Sequence, residues 1–246
     1  QKKSTNQIQI TVKFSNLDKK FINLINLKGN TITEEEVVRR SLSFAEGDSF
    51  TSYKLTESKR NLENLGIFKD IKFETVKNIN NFNLIDVNIT VKEQPTGAIS
   101  AGVGLGSDSS NIITGLNEKN FLGKGIEVNA NTSFGTEKIS GSISATVPDF
   151  KNSNNALISD IFAISTDFEN AGYESSKVGS NIATKYEVAK DLDLRIGIGL
   201  DLDDISANSN ASALYKSMEG KYTTFKGFYS IINDERNRFL LPTEGH

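Results

Sequence analysis

Strict alternation of apolar and polar residues dominates the chain from about residue 97 onward. The clearest stretch is 191–203, where six aliphatic residues alternate with Asp, Arg and Gly. A period of two residues predicts β-strands that have one apolar and one polar face. Eight such strands are predicted, at about 97–106, 111–120, 126–135, 138–147, 156–168, 176–188, 192–204 and 217–232.

The length of these strands favours one all-β architecture over another. Strands of soluble proteins average roughly 5–6 residues, whereas a strand that crosses a lipid bilayer needs roughly 9–11. Short turns alternate with longer polar loops along this part of the chain, as is typical of outer-membrane barrels. The pattern therefore predicts antiparallel transmembrane β-barrel strands, about eight of them, which form an incomplete barrel. The alternative is a soluble β-sandwich binding protein with unusually long strands.

The first part of the chain has a different pattern, with helix signals between its strands. Thr33 and Glu36 have the spacing of a capping box, which predicts a helix start at Thr33. A second helix is predicted over 51–65, with Gly66 just beyond its end. Strands are predicted at Ile8–Phe14, 21–27, 68–76 and 84–91. After residue 20 the order is β-α-α-β-β, which predicts an α+β domain with both helices on one face of the sheet.

Composition excludes several classes of function. The chain has no cysteine, and its only histidine is His246. Thiolate zinc sites and histidine-based catalytic triads therefore cannot form, so we expect no enzymatic activity, no cofactor and no metal. Asp201, Asp203 and Asp204 lack the spacing of a calcium loop. The net charge of −3 argues against a nucleic-acid partner.

Both ends of the chain suggest a piece of a longer protein. Residues 1–7 are polar and do not form the apolar segment of a signal peptide. Residues 241–246 resemble a turn that follows directly on a strand. We therefore expect the chain to be truncated at both ends.

Several stretches, in order along nearly the whole chain, resemble the barrel-assembly members of the Omp85 superfamily. Two of them are similar to the opening and the second helix of a POTRA domain, and the later ones are similar to the start and the middle of the family's barrel. The stretches are 25–35, 62–71, 91–95, 102–106, 118–125 and 234–245.

The resemblance implies a domain organisation and a location. Residues 1–19 would be the tail of a preceding POTRA domain, 20–94 a POTRA domain, and 95–246 the N-terminal half of an outer-membrane β-barrel. The POTRA domain would lie in the periplasm. The implied function is the assembly and insertion of β-barrel proteins into the bacterial outer membrane. The implied partners are unfolded outer-membrane protein clients, outer-membrane lipoproteins of the assembly complex and the lipid bilayer.

The resemblance also implies two sites, both at strand edges. The first barrel strand would open sideways and template a client strand through main-chain hydrogen bonds. Its residues are Gly97, Ile99, Ala101, Gly102, Val103, Gly104, Leu105 and Gly106. The second site is the POTRA edge strand, where partners would add as an extra strand. Its residues are Ile71, Lys72, Phe73, Glu74, Thr75 and Val76.

Each site has a plainer explanation. The glycines of the first barrel strand could simply relieve crowding where the barrel bends, and the POTRA edge could be shielded by a neighbouring domain. The function has a rival within the family, a secretion or translocation pore like the two-partner secretion transporters and TamA-like proteins.

Overall fold

The computed structural model describes residues 19–79, 81–105, 110–153, 155–189 and 191–235. Three predicted features lie outside these ranges: the strand at Ile8–Phe14, the site residue Gly106 and the turn within 236–246.

The N-terminal domain is a three-stranded sheet covered by two helices. Its elements are β1 (Phe21–Lys28), α1 (Glu35–Arg40), α2 (Ser52–Asn64), β2 (Phe68–Lys77) and β3 (Leu84–Glu93). The strand order is β1-β3-β2, so the last strand is central; it pairs parallel with β1 and antiparallel with β2. The β-α-α-β-β order predicted from the sequence is confirmed.

The hydrophobic core of this domain lies between the sheet and the helices. Alternate residues of the central strand, Ile85, Val87, Ile89 and Val91, are buried. The core also contains Ile22, Val37, Val38, Leu62, Ile67 and Ile71. A two-layer domain requires every second residue of a strand to be buried and each helix to bury one side. The core has both features.

The predicted capping box at the start of α1 is wrong. The helix begins at Glu35, its N-cap is Glu34, and no side chain caps it. Thr33 is instead buried, and its hydroxyl accepts a hydrogen bond from the amide of Asn120. The end of α2 is as predicted, because Gly66 follows the helix with a φ of 66°.

The second domain is one antiparallel meander. It comprises β4 (Gly97–Leu105), β5 (Ser110–Phe121), β6 (Ile126–Gly135), β7 (Lys138–Val147), β8 (Ala156–Phe168), β9 (Tyr173–Ala189), β10 (Leu192–Ala207) and β11 (Gly220–Asn233). Each strand pairs with its neighbours in sequence, from β4 at one edge to β11 at the other. The prediction of about eight antiparallel barrel strands is confirmed. A short helix, α3 (Ala213–Ser217), lies between the last two strands and was not predicted.

In this sheet the apolar side chains are exposed and the polar side chains are shielded, which is the reverse of the arrangement in a water-soluble protein. Ile198 on the apolar face is 65% exposed, whereas Asp201 on the polar face is 7% exposed. Within the described residues, no second sheet packs on the apolar side, as a sandwich would require. An apolar outer band with a polar inner face is typical of a membrane barrel. None of the helices in the described ranges has the length and apolar character to cross a membrane.

Replacement of Ile198 by lysine is expected to impair folding into a bilayer. A lysine on the lipid face near the membrane midplane costs about 2–4 kcal/mol. The matched control is Thr224→Lys, which places the same charge on the polar face, since Thr224 pairs with Asp201. The folded fraction in phospholipid vesicles, measured by heat-modifiable gel mobility, should fall for Ile198→Lys alone. Equal losses for both variants would contradict the assignment of the faces.

Candidate functional site

The first predicted site lies on β4, at the edge of the eight-stranded sheet. This strand pairs with β5 from Gly97↔Glu118 to Leu105↔Ser110, and it has no neighbour on its other side among the described residues. Its apolar side chains lie on the same face as those of the other strands, and Ile99, Val103 and Leu105 are exposed. Among the described residues, no strand pairs with the outer side of β4, and the same is true of β11 at the other end of the sheet.

The glycines of β4 do not all have the same explanation. A Cβ atom at Gly104 would collide with the side-chain oxygen of Asn111, so this glycine makes room for a neighbour. A Cβ atom at Gly102 would meet nothing within 4 Å. Crowding therefore accounts for Gly104 but not for Gly102, where the missing side chain only weakens the strand.

The second predicted site lies on β2, at one edge of the N-terminal sheet. Ile71 and Phe73 face the core, whereas Lys72, Glu74 and Val76 are exposed on the opposite face. The strand pairs with β3 on one side. No other described residue donates a hydrogen bond to its outer edge or accepts one from it.

The opposite edge of the same sheet, on β1, is covered over its first half. The backbone of Ile22, in β1, accepts a hydrogen bond from Gly47 at 2.7 Å and donates one to Asp48 at 2.9 Å. The guanidinium of Arg39 donates to the carbonyl of Ile25 at 3.0 Å. Sequence reasoning missed this cover, which leaves β2 as the more accessible of the two edges.

A third feature, not predicted from the sequence, joins the two domains. The turn at 120–125 connects β5 and β6 and packs against the segment that precedes α1. Asn120 donates to the hydroxyl of Thr33 at 2.9 Å, and both residues are buried. The amide of Glu34 donates to the carbonyl of Gly123 at 2.8 Å. These bonds hold the turn between β5 and β6 directly on the N-terminal domain.

Glycine is required in this turn by both conformation and space. Gly123 has a φ of 74° and Gly125 a φ of 64°, values that favour glycine. A Cβ atom at Gly123 would also collide with the carbonyl oxygen of Ile32, and one at Gly125 would approach the guanidinium of Arg40 to 2.6 Å. Arg40 in turn donates to the carbonyl of Lys124 at 3.0 Å.

The carboxylate of Glu93 organises the other side of this junction. It accepts hydrogen bonds from the amide of Thr33 at 2.7 Å, the amide of Ile32 at 3.1 Å and the hydroxyl of Thr31 at 2.6 Å. Burial of the carboxylate would raise its pKa, but the hydrogen bonds from Thr31, Thr33 and Ile32 outweigh burial and lower the pKa to about 2.

The acidic residues considered for cation binding are paired with lysines instead. Asp201 accepts from Lys226 at 2.8 Å, and Asp203 lies 3.0 Å from the ammonium of Lys177. Across the described ranges, no group of three or more acidic, histidine or cysteine side chains has the arrangement of a metal site. The polar face of the sheet is therefore a network of ion pairs.

Two family models match the chain. The Omp85 superfamily domain matches residues 120–246, and the POTRA model, described as surface antigen variable number repeat, matches residues 21–94. The Omp85 match begins at residue 120, so it opens with the turn at 120–125 that contacts the N-terminal domain.

Curated relatives match over nearly the whole chain. The outer membrane protein assembly factor BamA of Neisseria meningitidis is 27% identical over 92% of this chain and 31% of its own length. The BamA of Neorickettsia risticii is 27% identical over 98% of this chain and 33% of its own length. The chain thus spans about a third of the length of these relatives.

Solved structures share the fold. BamA from Haemophilus ducreyi lacking POTRA domains 1–3 superposes with a TM-score of 0.74 and 23% identity, over 92% of this chain and 46% of that one. CdiB from Acinetobacter baumannii superposes with a TM-score of 0.53 and 11% identity, over 86% of this chain and 42% of that one.

Replacement of Glu93 by glutamine is expected to weaken the junction in a pH-dependent way. Because the pKa of Glu93 falls from 4.5 to about 2 on folding, its contribution to stability is complete above pH 4.5 and is lost as the pH falls towards 2. Hydrogen-exchange protection of the Ile32 and Thr33 amides should therefore be higher in the parent protein at pH 7. The difference from Glu93→Gln should disappear near pH 2. A difference that stays constant over this range would exclude the charge of Glu93 as its cause.

Proposed function

Because the chain belongs to the Omp85 superfamily, we propose that its two domains act in the assembly and insertion of β-barrel proteins. The chain lies in the bacterial outer membrane with its POTRA domain in the periplasm, as its relatives named outer membrane protein assembly factors do. The proposed activity involves no covalent chemistry.

The observations that carry this proposal are the exposed apolar face of the sheet and the position of the glycine-rich strand β4 at its edge, with no pairing strand among the described residues. In a lipid bilayer no water is present to satisfy backbone N–H and C=O groups, so strands are stable there only when paired. A free edge at the end of the sheet therefore offers an incoming strand the hydrogen bonds that it needs. Main-chain pairing depends little on side chains, so one edge can accept many client sequences.

The small residues of β4 support a temporary rather than a permanent pairing. Gly102 and Gly104 provide no side chain on the polar face for cross-strand contacts. A strand paired with β4 would therefore be held mainly by backbone hydrogen bonds and by Ile99, Val103 and Leu105 on the lipid face. Release of a completed client requires such limited side-chain contact.

The uncovered edge of β2 is proposed as a docking site for outer-membrane lipoproteins of the assembly complex. An extended partner segment would add beside β2 as a fourth strand of the POTRA sheet. Lys72 and Glu74 on the exposed face would then supply side-chain specificity.

An Omp85-family pore that secretes or translocates a substrate shares the same two domains. The likeness to CdiB structures extends to the fold alone, whereas curated relatives that match nearly the whole chain are named for assembly. We therefore place barrel assembly first. A transport assay with reconstituted protein distinguishes the two, since a pore moves its substrate across the bilayer and an assembly protein leaves it inserted.

Client pairing at β4 is tested by site-specific photo-crosslinking. A photoreactive amino acid at Ile99 or Val103 should capture a stalled β-barrel precursor, because both residues lie on the edge strand. The matched control is Ile143, which is exposed on the same apolar face but lies on the interior strand β7. Equal capture at Ile143 would show that clients contact the lipid face without pairing at the edge.

Partner docking at β2 is tested in the same way. A photoreactive amino acid at Glu74 should capture a lipoprotein of the assembly complex, since the edge beside it is open. Leu24, exposed on β1, is the control, because the backbones of Ile22 and Ile25 on either side of it are bonded to Gly47, Asp48 and Arg39. Capture at Leu24 but not at Glu74 would overturn the choice of edge.

A further inference from the structure

Three large apolar side chains are exposed where the two domains meet. Leu122 is 72% exposed, Phe121 45% exposed and Ile32 71% exposed. Phe121 and Leu122 belong to the turn between β5 and β6, and Ile32 belongs to the segment before α1. The core of the POTRA domain does not use any of the three.

The backbone segments that carry Ile32 and Leu122 are in contact. Leu122 precedes Gly123, whose Cα packs against the carbonyl of Ile32 so closely that a Cβ atom would collide with it. The hydrogen bond from the Glu34 amide to Gly123 fixes the same contact. Leu122 and Ile32 therefore leave backbones that are in direct contact, one from each domain.

This apolar cluster continues the lipid-facing side of the barrel. Phe121 pairs with Ile126 at the end of the β5–β6 ladder. Ile126 and Val128 lie on the apolar face, because successive residues of a strand alternate between faces. The cluster thus lies at the POTRA end of the membrane-facing surface, at the level where a barrel meets the lipid headgroups.

Acidic groups outnumber basic ones around the cluster. Arg40 and Lys124 lie at the turn, whereas Glu93 binds the amide of Ile32 and Glu34, Glu35 and Glu36 follow Thr33. A contact surface of this kind does not select anionic lipid, because the acidic groups repel it. Its affinity for a membrane would come from the apolar side chains.

We propose that Ile32, Phe121 and Leu122 form an interfacial anchor, through which the POTRA domain rests on the lipid leaflet that surrounds its own barrel. The occupant is the boundary between headgroups and acyl chains of a zwitterionic phospholipid. Ile32 is the contribution of the POTRA domain, so the anchor fixes the domain to the membrane as well as to the barrel turn. This inference rests on the barrel being inserted in the membrane, and it adds a second membrane contact beyond the barrel wall.

The test uses tryptophan fluorescence, to which the chain contributes no background because it has no tryptophan. Single variants Ile32→Trp and Leu122→Trp are reconstituted in phosphatidylcholine vesicles with and without brominated acyl chains. Their emission should be blue-shifted and quenched by the brominated lipid relative to the parent protein. Quenching should be stronger with bromine near the headgroup than with bromine deep in the bilayer.

Two further variants separate the possible failures. Phe225→Trp lies on the lipid face of β11 and should be quenched deeply. Ile79→Trp lies in the turn between β2 and β3, at the other end of the POTRA sheet, is also exposed, and should not be quenched. An unquenched Phe225→Trp would overturn the membrane placement and the anchor together.

Quenching at residue 225 without quenching at 32 and 122 would overturn the anchor and leave the proposed function intact. Quenching at 122 but not at 32 would restrict lipid contact to the barrel turn and overturn the role of the POTRA domain. Blue-shifted emission at 32 and 122 that brominated lipid does not quench would mean that protein, not lipid, covers the cluster.

Discussion

The need to pair every backbone N–H and C=O group within the bilayer governs the second domain. It explains why eight consecutive strands form one uninterrupted meander. Among the described residues, backbone groups without a partner strand are confined to the outer sides of β4 and β11. The alternation of apolar and polar side chains follows from the same constraint. Once the backbone is fully paired in a sheet between lipid and a polar interior, each strand must present a different surface to each side.

The junction shows how a water-exposed domain is attached to such a sheet. Glu93, at the end of the last POTRA strand, binds the segment before α1, and Thr33 in that segment binds Asn120 in the barrel. One continuous set of hydrogen bonds therefore runs from the POTRA sheet to the turn between β5 and β6. Since Thr33 and Asn120 are both buried, removal of either polar group by substitution would leave the other without a partner inside the junction, which is costly.

The barrel strands could be predicted from the sequence because their signal is local. In β10, six aliphatic residues alternate with polar ones over a span longer than any turn, and the predicted and observed strands overlap throughout. The same holds for β3, where four alternate residues form the core. Local periodicity is sufficient wherever one face of a strand has a uniform environment.

Features that depend on distant partners could not be predicted. Thr33 has the local pattern of a helix cap, but its hydroxyl is bonded to a residue 87 positions away. The cover on β1 depends in the same way on Gly47, Asp48 and Arg39, which no periodicity links to that strand. Both strand-edge sites were proposed from family resemblance, and residue pattern alone could not have distinguished the covered edge from the open one.

The cover on β1 also limits how many molecules the POTRA sheet can bind. A sheet with two free edges can join other sheets on both sides and grow into an open-ended chain. Because the loop at 46–50 and Arg39 block the first half of the β1 edge, this sheet has only one edge, on β2, that is free along its whole length. Two copies could at most form a closed pair, and a single bound segment would saturate the domain. The arrangement therefore keeps the POTRA sheet from polymerising through its own edges.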